Sequence, residues 1–115
     1  MNTEQPPTTF LAFNLSLALI CALRPIVAEL EKRDRDLARQ LRKAASSISL
    51  NLSEGRKRVG RDRLHLWRIA DGSAEECRAC LYVAAAWGHL RDDDIVETLA
   101  ILDKLLAMCW RLTHR

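Results

Sequence analysis

Apolar residues recur every three or four positions along most of this chain, and that period constrains the fold more than any other feature. In the clearest stretch they fall at Leu37, Leu41, Ala45, Ile48 and Leu52, with spacings of 4, 4, 3 and 4. Such spacing places all five side chains on one face of an α-helix. Only four Gly and three Pro interrupt the 115 residues, and β-branched runs bounded by turn residues are missing from the sequence. The pattern predicts an all-α domain and argues against a sandwich or a barrel.

The same period divides the chain into four predicted helices joined by short connections. Short connections join antiparallel neighbours, so we expect a single up-down-up-down four-helix bundle over residues 9–115. The first eight residues are polar, contain Pro6-Pro7 and predict a disordered tail over 1–8. The predicted helices cover about 9–31, 34–58, 61–87 and 92–114.

Capping residues stand near the predicted ends of these helices. Thr8 or Thr9 can cap the first helix and Asp34 the second, since short polar side chains accept hydrogen bonds from free N–H groups. Residues 92–94, all Asp, supply a cap and first-turn carboxylates for the fourth helix. Gly88 follows the third helix where a left-handed residue commonly ends one.

Proline and glycine also occur inside the predicted helices. Pro25 should either kink the first helix or end it a few residues early, because it cannot donate a backbone hydrogen bond. Gly72 lies in the middle of the third helix, where it costs about 1 kcal/mol relative to Ala. We therefore expect Gly72 to permit the close approach of another helix. Gly55 and Gly60 mark the end of the second helix.

The first helix has more apolar residues than one buried face requires. Its predicted inner stripe includes Leu17 and Leu23, yet Leu11, Leu15 and Leu19 lie away from that stripe. A small bundle needs only about three or four apolar positions in every seven, and monomers rarely expose large apolar patches. The surplus favours self-association; the alternative is a large core with one unusually apolar helix.

Positive charge is concentrated in the middle of the chain. The net charge is only +3, but residues 31–63 hold eleven Lys and Arg against five Asp and Glu. This block can attract a polyanion, or it can be a solvated helix face. Its densest part lies at the turn between the second and third helices, where Arg68 follows and where Trp67 either offers a stacking surface for an unpaired base or is packed. The resulting candidates for nucleic-acid binding are Arg56, Lys57, Arg58, Arg61 and Arg63.

Four cysteines, Cys21, Cys77, Cys80 and Cys109, bear on the compartment of the protein and on metal binding. No basic residue precedes the apolar run at 10–23, which is shorter than a bilayer-spanning segment, so we expect a cytoplasmic protein with reduced thiols and no membrane partner. The spacing of Cys77 and Cys80 is compatible with a metal or redox motif. Their Ala and Leu neighbours favour buried apolar residues instead. We predict no metal and no cofactor.

Two sequence motifs resemble those of a known family. The segments QLRKAASSI at 40–48 and NLSEG at 51–55 resemble one signature of the four-helix bundle proteins encoded by intervening sequences of bacterial large-subunit rRNA genes. The segment IADGS at 69–73, followed by Glu76 and Gly88, is similar to the second signature. Ser53, Arg78 and Cys80 depart from the family pattern.

The resemblance implies an antiparallel four-helix bundle that assembles into ring-like homopentamers. Similar accessory proteins of diversity-generating retroelements associate with a reverse transcriptase and nucleic acid. The resemblance implies fold and assembly more firmly than activity.

The motifs also define a set of polar and glycine positions on the second and third helices. These positions form either a polar binding site inside the bundle or a hydrogen-bond network that fixes helix register; the network is favoured because no His or Cys shares that face. The three His residues stand apart, and we predict no catalytic residue and no enzyme. The expected role is a non-enzymatic assembly or adaptor protein, with nucleic-acid backbone binding as the alternative. The set comprises Gln40, Ser47, Asn51, Glu54, Gly55, Gly72, Ser73 and Glu76.

Overall fold

Four helices and three short turns make up the part of the chain that the computed structural model describes, residues 10–114. The predicted tail over 1–8 lies outside these residues. The four helices are close to those predicted from the apolar period. They are α1 (Leu11–Arg33), α2 (Arg35–Arg56), α3 (Gly60–Ala86) and α4 (Asp92–Thr113).

Each helix packs against its neighbours in the chain, and α1 also packs against α4. The cyclic order α1-α2-α3-α4 places α2 and α4 at diagonally opposite corners of the bundle. Because successive helices alternate in direction, α2 and α4 run parallel to each other. No strand occurs within residues 10–114, so the predicted all-α bundle is confirmed.

The core is built from the inward faces of all four helices. The predicted stripe of α2 is confirmed, since its five apolar residues at positions 37 to 52 are all buried. The prediction for the inner stripe of α1 is wrong in part. Leu19, expected to face outward, is completely buried, whereas Leu17, expected to face inward, is 40% exposed. Trp87, which follows α3, is 72% exposed.

The helix ends agree only in part with the predicted caps. Asp34 caps α2, because its Oδ1 accepts a hydrogen bond from the Leu37 backbone N–H at 3.1 Å. At α1 the N-cap residue is Phe10, and the predicted caps Thr8 and Thr9 lie outside the described residues. At α4 the N-cap residue is Arg91, whose N–H donates to Asp94 Oδ2 at 2.8 Å. Gly88 follows α3 with a φ of +82°, as its expected role requires.

Helix α1 passes through Pro25 without ending and continues to Arg33. Its 23 residues are long and apolar enough to cross a membrane by length and composition, although core helices of soluble proteins have the same property. We interpret α1 as a core helix because Leu19, Leu23 and Leu30 pack into the common core. Only 28% of its most apolar 18-residue window is buried, so much of its apolar surface stays uncovered by the described chain.

Candidate functional site

The turn between α2 and α3 brings all five predicted cationic candidates to one end of the bundle. The C-cap residue of α2 is Lys57, whose N–H donates to Glu54 O at 3.1 Å. Helix α3 begins three residues later at Gly60, which has a φ of +59°. A left-handed residue at this point lets the chain reverse direction within a few residues.

Arg63 uses its guanidinium group to cap the end of α2. Its Nε donates to Gly55 O at 3.1 Å, and an Nη donates to Arg56 O at 2.9 Å. These carbonyls belong to the last turn of α2, where the helix dipole favours a cation, and Gly55 O also accepts a hydrogen bond from the Arg58 N–H at 3.1 Å. Arg63 therefore joins α2 to α3, and its charge is already engaged by the protein.

The other four cations at this turn differ in their contacts. Arg58 donates to Glu54 Oε2 at 2.7 Å in an ion pair that is about half exposed, and the Arg56 guanidinium lies 5.4 Å from the centroid of the Phe10 ring. Within residues 10–114, no hydrogen bond or salt bridge engages the exposed side chains of Lys57 and Arg61. These two exposed side chains therefore keep their charges available for a partner.

Trp67 lies beneath this turn and is buried, so of the two interpretations of its ring the packed one is confirmed and the stacking surface is wrong. Its indole Nε1 donates to Leu52 O at 3.2 Å, and Arg63 covers its ring at 5.1 Å. The backbone of Gly55 lies directly against the indole. A Cβ at position 55 would lie 2.6 Å from Trp67 Cδ1, so the close approach expected at Gly72 occurs at Gly55 instead.

The predicted polar set separates into several contacts on the outside of α2 and α3. Ser73 Oγ donates to Ser47 Oγ at 2.8 Å, and Asn51 Nδ2 donates to Ser47 O at 2.9 Å and to Ser47 Oγ at 3.1 Å. Gln40 Nε2 donates to Glu76 Oε2 at 3.2 Å in a separate exposed contact. These side chains satisfy one another's hydrogen-bonding groups across α2 and α3. The arrangement therefore has the properties of a network that fixes the register of the two helices, which is one of the two interpretations of the polar set.

Glu54 and the two glycines of the polar set lie outside this network. Glu54 pairs with Arg58, and Gly55 packs against Trp67. A Cβ at Gly72 would have no neighbour within 4 Å. The expectation that Gly72 admits a neighbouring helix is therefore wrong for the described chain.

A second polar link, between α1 and α2, was missed by the sequence reasoning. Ser16 Oγ donates to Phe13 O at 2.6 Å and lies 2.7 Å from Ser49 Oγ, and both serines are buried. The geometry makes Ser49 the donor to Ser16, because the Ser16 proton is already used. The available signal was the spacing of Ser16 from Ala12, Leu19 and Leu23, which line the core.

Three of the four cysteine side chains have the properties of core residues. Cys77, Cys80 and Cys109 are buried, whereas Cys21 is exposed. Burial raises the pKa of Cys77 and of Cys109 to about 12 and also raises the pKa of Cys80. These three thiols stay protonated near neutral pH, which makes them poor metal ligands and nucleophiles. Residues 10–114 contain no group of three or more His, Cys, Asp or Glu positioned to hold a metal ion.

The fold and this arrangement define an antiparallel four-helix bundle whose polar groups mostly satisfy one another, with a basic turn at one end. Comparison with known proteins is consistent with that class. Residues 11–111 match the family of 23S rRNA-intervening sequence proteins, and the chain belongs to this family.

The structural comparison gives the same fold. A protein of unknown function from the S23 ribosomal protein family of Bacteroides thetaiotaomicron superposes with a TM-score of 0.82 at 14% sequence identity. The match covers 90% of this chain and 99% of that one. At this identity the likeness shows the fold alone. A search of curated proteins finds no match.

Proposed function

We propose that this protein is a cytoplasmic, non-enzymatic helical bundle that self-assembles and acts as an assembly or adaptor protein. The observation that carries the proposal is the apolar surface left on the single chain. Ten large apolar side chains of the described residues are exposed, among them Leu50 and Trp110, and only 28% of the most apolar 18-residue window of α1 is buried. Exposed apolar surface beyond what one core needs commonly marks an interaction site, and a second copy is the partner that is always present.

The absence of catalysis is part of the same proposal. Burial raises the pKa of Cys77 and Cys109, so neither thiol is an activated nucleophile. His89 Nε2 lies 3.4 Å from Asp34 Oδ2, but this pair joins the α1–α2 connection to the α3–α4 turn at one end of the bundle. An assembly of several identical bundles offers repeated binding surfaces, and these are better suited to a scaffold than to catalysis.

The test is the mass of the protein in solution. Size exclusion coupled to light scattering should give about five times the 13.1 kDa chain mass, since the resemblance favours a five-membered ring. Any stable oligomer supports self-assembly, and another number of copies would correct only the pentamer. A mass of one chain at all concentrations up to about 100 μM contradicts the proposal, because obligate interfaces hold well below that concentration.

A second function, binding to a nucleic-acid backbone, is favoured by the two accessible cations of the basic turn. Lys57 and Arg61 are exposed at the end of the bundle where Arg56 and Arg58 also lie. Phosphate contacts by such cations release counterions, so their contribution is greatest at low salt. A ring would present several copies of this turn and increase the avidity.

Fluorescence anisotropy with single-stranded and duplex RNA and DNA tests this second function. The variant Lys57→Gln with Arg61→Gln should weaken binding and reduce its salt dependence. The matched control, Arg24→Gln with Lys32→Gln, removes two exposed cations from α1 and should bind like the wild type. No binding at low salt, or equal losses in the two variants, contradicts this function.

A further inference from the structure

The outer faces of α2 and α4 carry opposite charge. The first nine residues of α2, from Arg35 to Lys43, contain four cations and one carboxylate. The first six residues of α4, from Asp92 to Glu97, contain four carboxylates and no cation. Arg35, Arg39, Arg42 and Lys43 are exposed, as are Asp92, Asp93 and Glu97.

Most of these charges remain unneutralised by the chain that bears them. Arg39 forms only a long contact of 3.5 Å with Asp36, in which both side chains are largely exposed. Within the described residues, no salt bridge engages Arg42, Lys43, Asp93 or Glu97. Each face therefore keeps its charge available for a partner.

The fold puts the two faces at matching heights on opposite sides of the molecule. Helices α2 and α4 occupy diagonal corners of the bundle and run parallel. Their N-terminal halves, which carry the charge, therefore lie at the same end. Both helices have 22 residues, so their C-terminal halves also lie level.

Exposed apolar side chains also lie at similar heights on the two faces. Leu50 is 68% exposed on the outer face of α2, fifteen positions after Arg35, and Trp110 is 57% exposed on α4. Fifteen positions after Asp92, α4 has Ala107, one turn before Trp110. The C-terminal half of each face thus carries one large exposed apolar side chain at a similar height, and α4 also exposes Lys104 and Arg111 there.

We infer that the outer face of α2 in one copy packs against the outer face of α4 in the next, with the two helices parallel. The inference rests on the proposed self-assembly and identifies its surfaces. Arg39 and Lys43 then face the carboxylates of Asp93 and Glu97, and Leu50 meets the neighbour's Ala107 and Trp110. Because each copy offers one face of each kind, the contact is head-to-tail, and repetition with rotation closes a ring.

Charge reversal tests this pairing. One variant carries Arg39→Glu and Lys43→Glu on α2, and another carries Asp93→Lys and Glu97→Lys on α4; Asp94, which caps α4, is kept. Each variant puts like charges across the contact and should weaken association by more than about tenfold. A chain with all four substitutions restores opposite charges and should recover the wild-type mass. Light scattering over a dilution series measures each mass.

Two controls separate the contact from general effects of charge. The variant Arg24→Glu with Lys32→Glu reverses two exposed cations of α1, outside both faces, and should assemble like the wild type. An equimolar mixture of the α2 and α4 variants should associate although neither does so alone, because each supplies the face that the other lacks. Far-UV circular dichroism checks that each variant keeps its helices. If a charge-reversal variant loses helix, the same positions are changed to Gln instead, which removes the charges without reversing them.

The outcomes distinguish this inference from the proposed function. A monomeric wild type overturns both. A wild-type oligomer that resists either paired reversal, or a fourfold-substituted chain that stays dissociated, overturns only the pairing of α2 with α4. If the α2 variant dissociates and the α4 variant does not, the basic face binds another surface, and the pairing is again overturned.

Discussion

At the residue scale, the contact between Gly55 and Trp67 fixes how closely α2 and α3 approach. The indole occupies the space of the missing Cβ and donates to Leu52 O. A side chain at position 55 must displace a buried aromatic ring that is held by a hydrogen bond and covered by Arg63. Gly72, in contrast, has open space in place of a Cβ. The two glycines therefore form a matched pair for measurement.

Gly55→Ala should destabilise the protein by about 1–2 kcal/mol, because overpacking costs more than the gain in helix propensity. Gly72→Ala should stabilise it by about 0.5–1 kcal/mol, since only the propensity changes. Urea unfolding followed by circular dichroism gives both values. A Gly55→Ala variant as stable as Gly72→Ala would contradict the contact, because the indole would then move aside without cost.

The buried cysteines give a second prediction at this scale. In the native protein one thiol per chain should react rapidly with a thiol reagent at pH 8, and all four should react in denaturant, because only Cys21 is exposed. Cys21→Ser should remove the fast reaction. Rapid reaction of two or more thiols in the folded protein would contradict the packed core.

The raised thiol pKa values also predict a loss of stability at alkaline pH. The unfolded chain ionises these thiols near the ordinary value of 9.0, whereas the folded chain keeps Cys77 and Cys109 protonated up to a pKa of about 12. Above pH 9 the unfolded state therefore binds fewer protons, and the free energy of unfolding falls as pH rises. The double variant Cys77→Ala with Cys109→Ala should show a shallower fall between pH 9 and 10.5 in urea titrations.

At the element scale, the sequence was most informative where a helix is apolar on one side only. Helix α2 has polar residues over the rest of its surface, so its buried stripe could be predicted position by position. Helix α1 is apolar on several sides, and periodicity cannot choose between Leu17 and Leu19 when both are flanked by apolar residues. Packing against α2 and α4 makes that choice, through contacts that are distant in the sequence.

The basic turn shows the same limit for the candidate site. Its cations could be located from the sequence, because a run of Arg and Lys between two apolar stripes lies at the end of a helix. Their roles could not be predicted, since the capping contact of Arg63 depends on where α3 begins. A local sequence pattern locates a charged residue. Only the tertiary structure shows whether another group already neutralises its charge.

The variant Arg63→Ala therefore tests the cap at the C-terminal end of α2 and not the role of a surface charge. Removing two charge-assisted hydrogen bonds to the α2 carbonyls should cost about 1–2 kcal/mol of stability and fray the last turn of α2. Arg61→Ala, two residues away and exposed, should change stability by less than about 0.5 kcal/mol. Thermal unfolding of the two variants compares them directly, and equal melting temperatures would contradict the cap.

At the scale of the whole molecule, the two most exposed tryptophans distinguish an assembly surface from incidental exposure. Trp110 lies on the outer face of α4, stacked on His114 at 4.4 Å between ring centroids, whereas Trp87 lies at the end of α3 near His89. If α4 docks on the next copy, Trp110→Ser should raise the dissociation constant by about tenfold or more, since buried aromatic anchors dominate interfaces. Trp87→Ser lies outside the paired faces and should leave it nearly unchanged. Light scattering on dilution measures both constants. A larger effect at Trp87 than at Trp110 would place the contact at the α3–α4 turn and not along the α4 face.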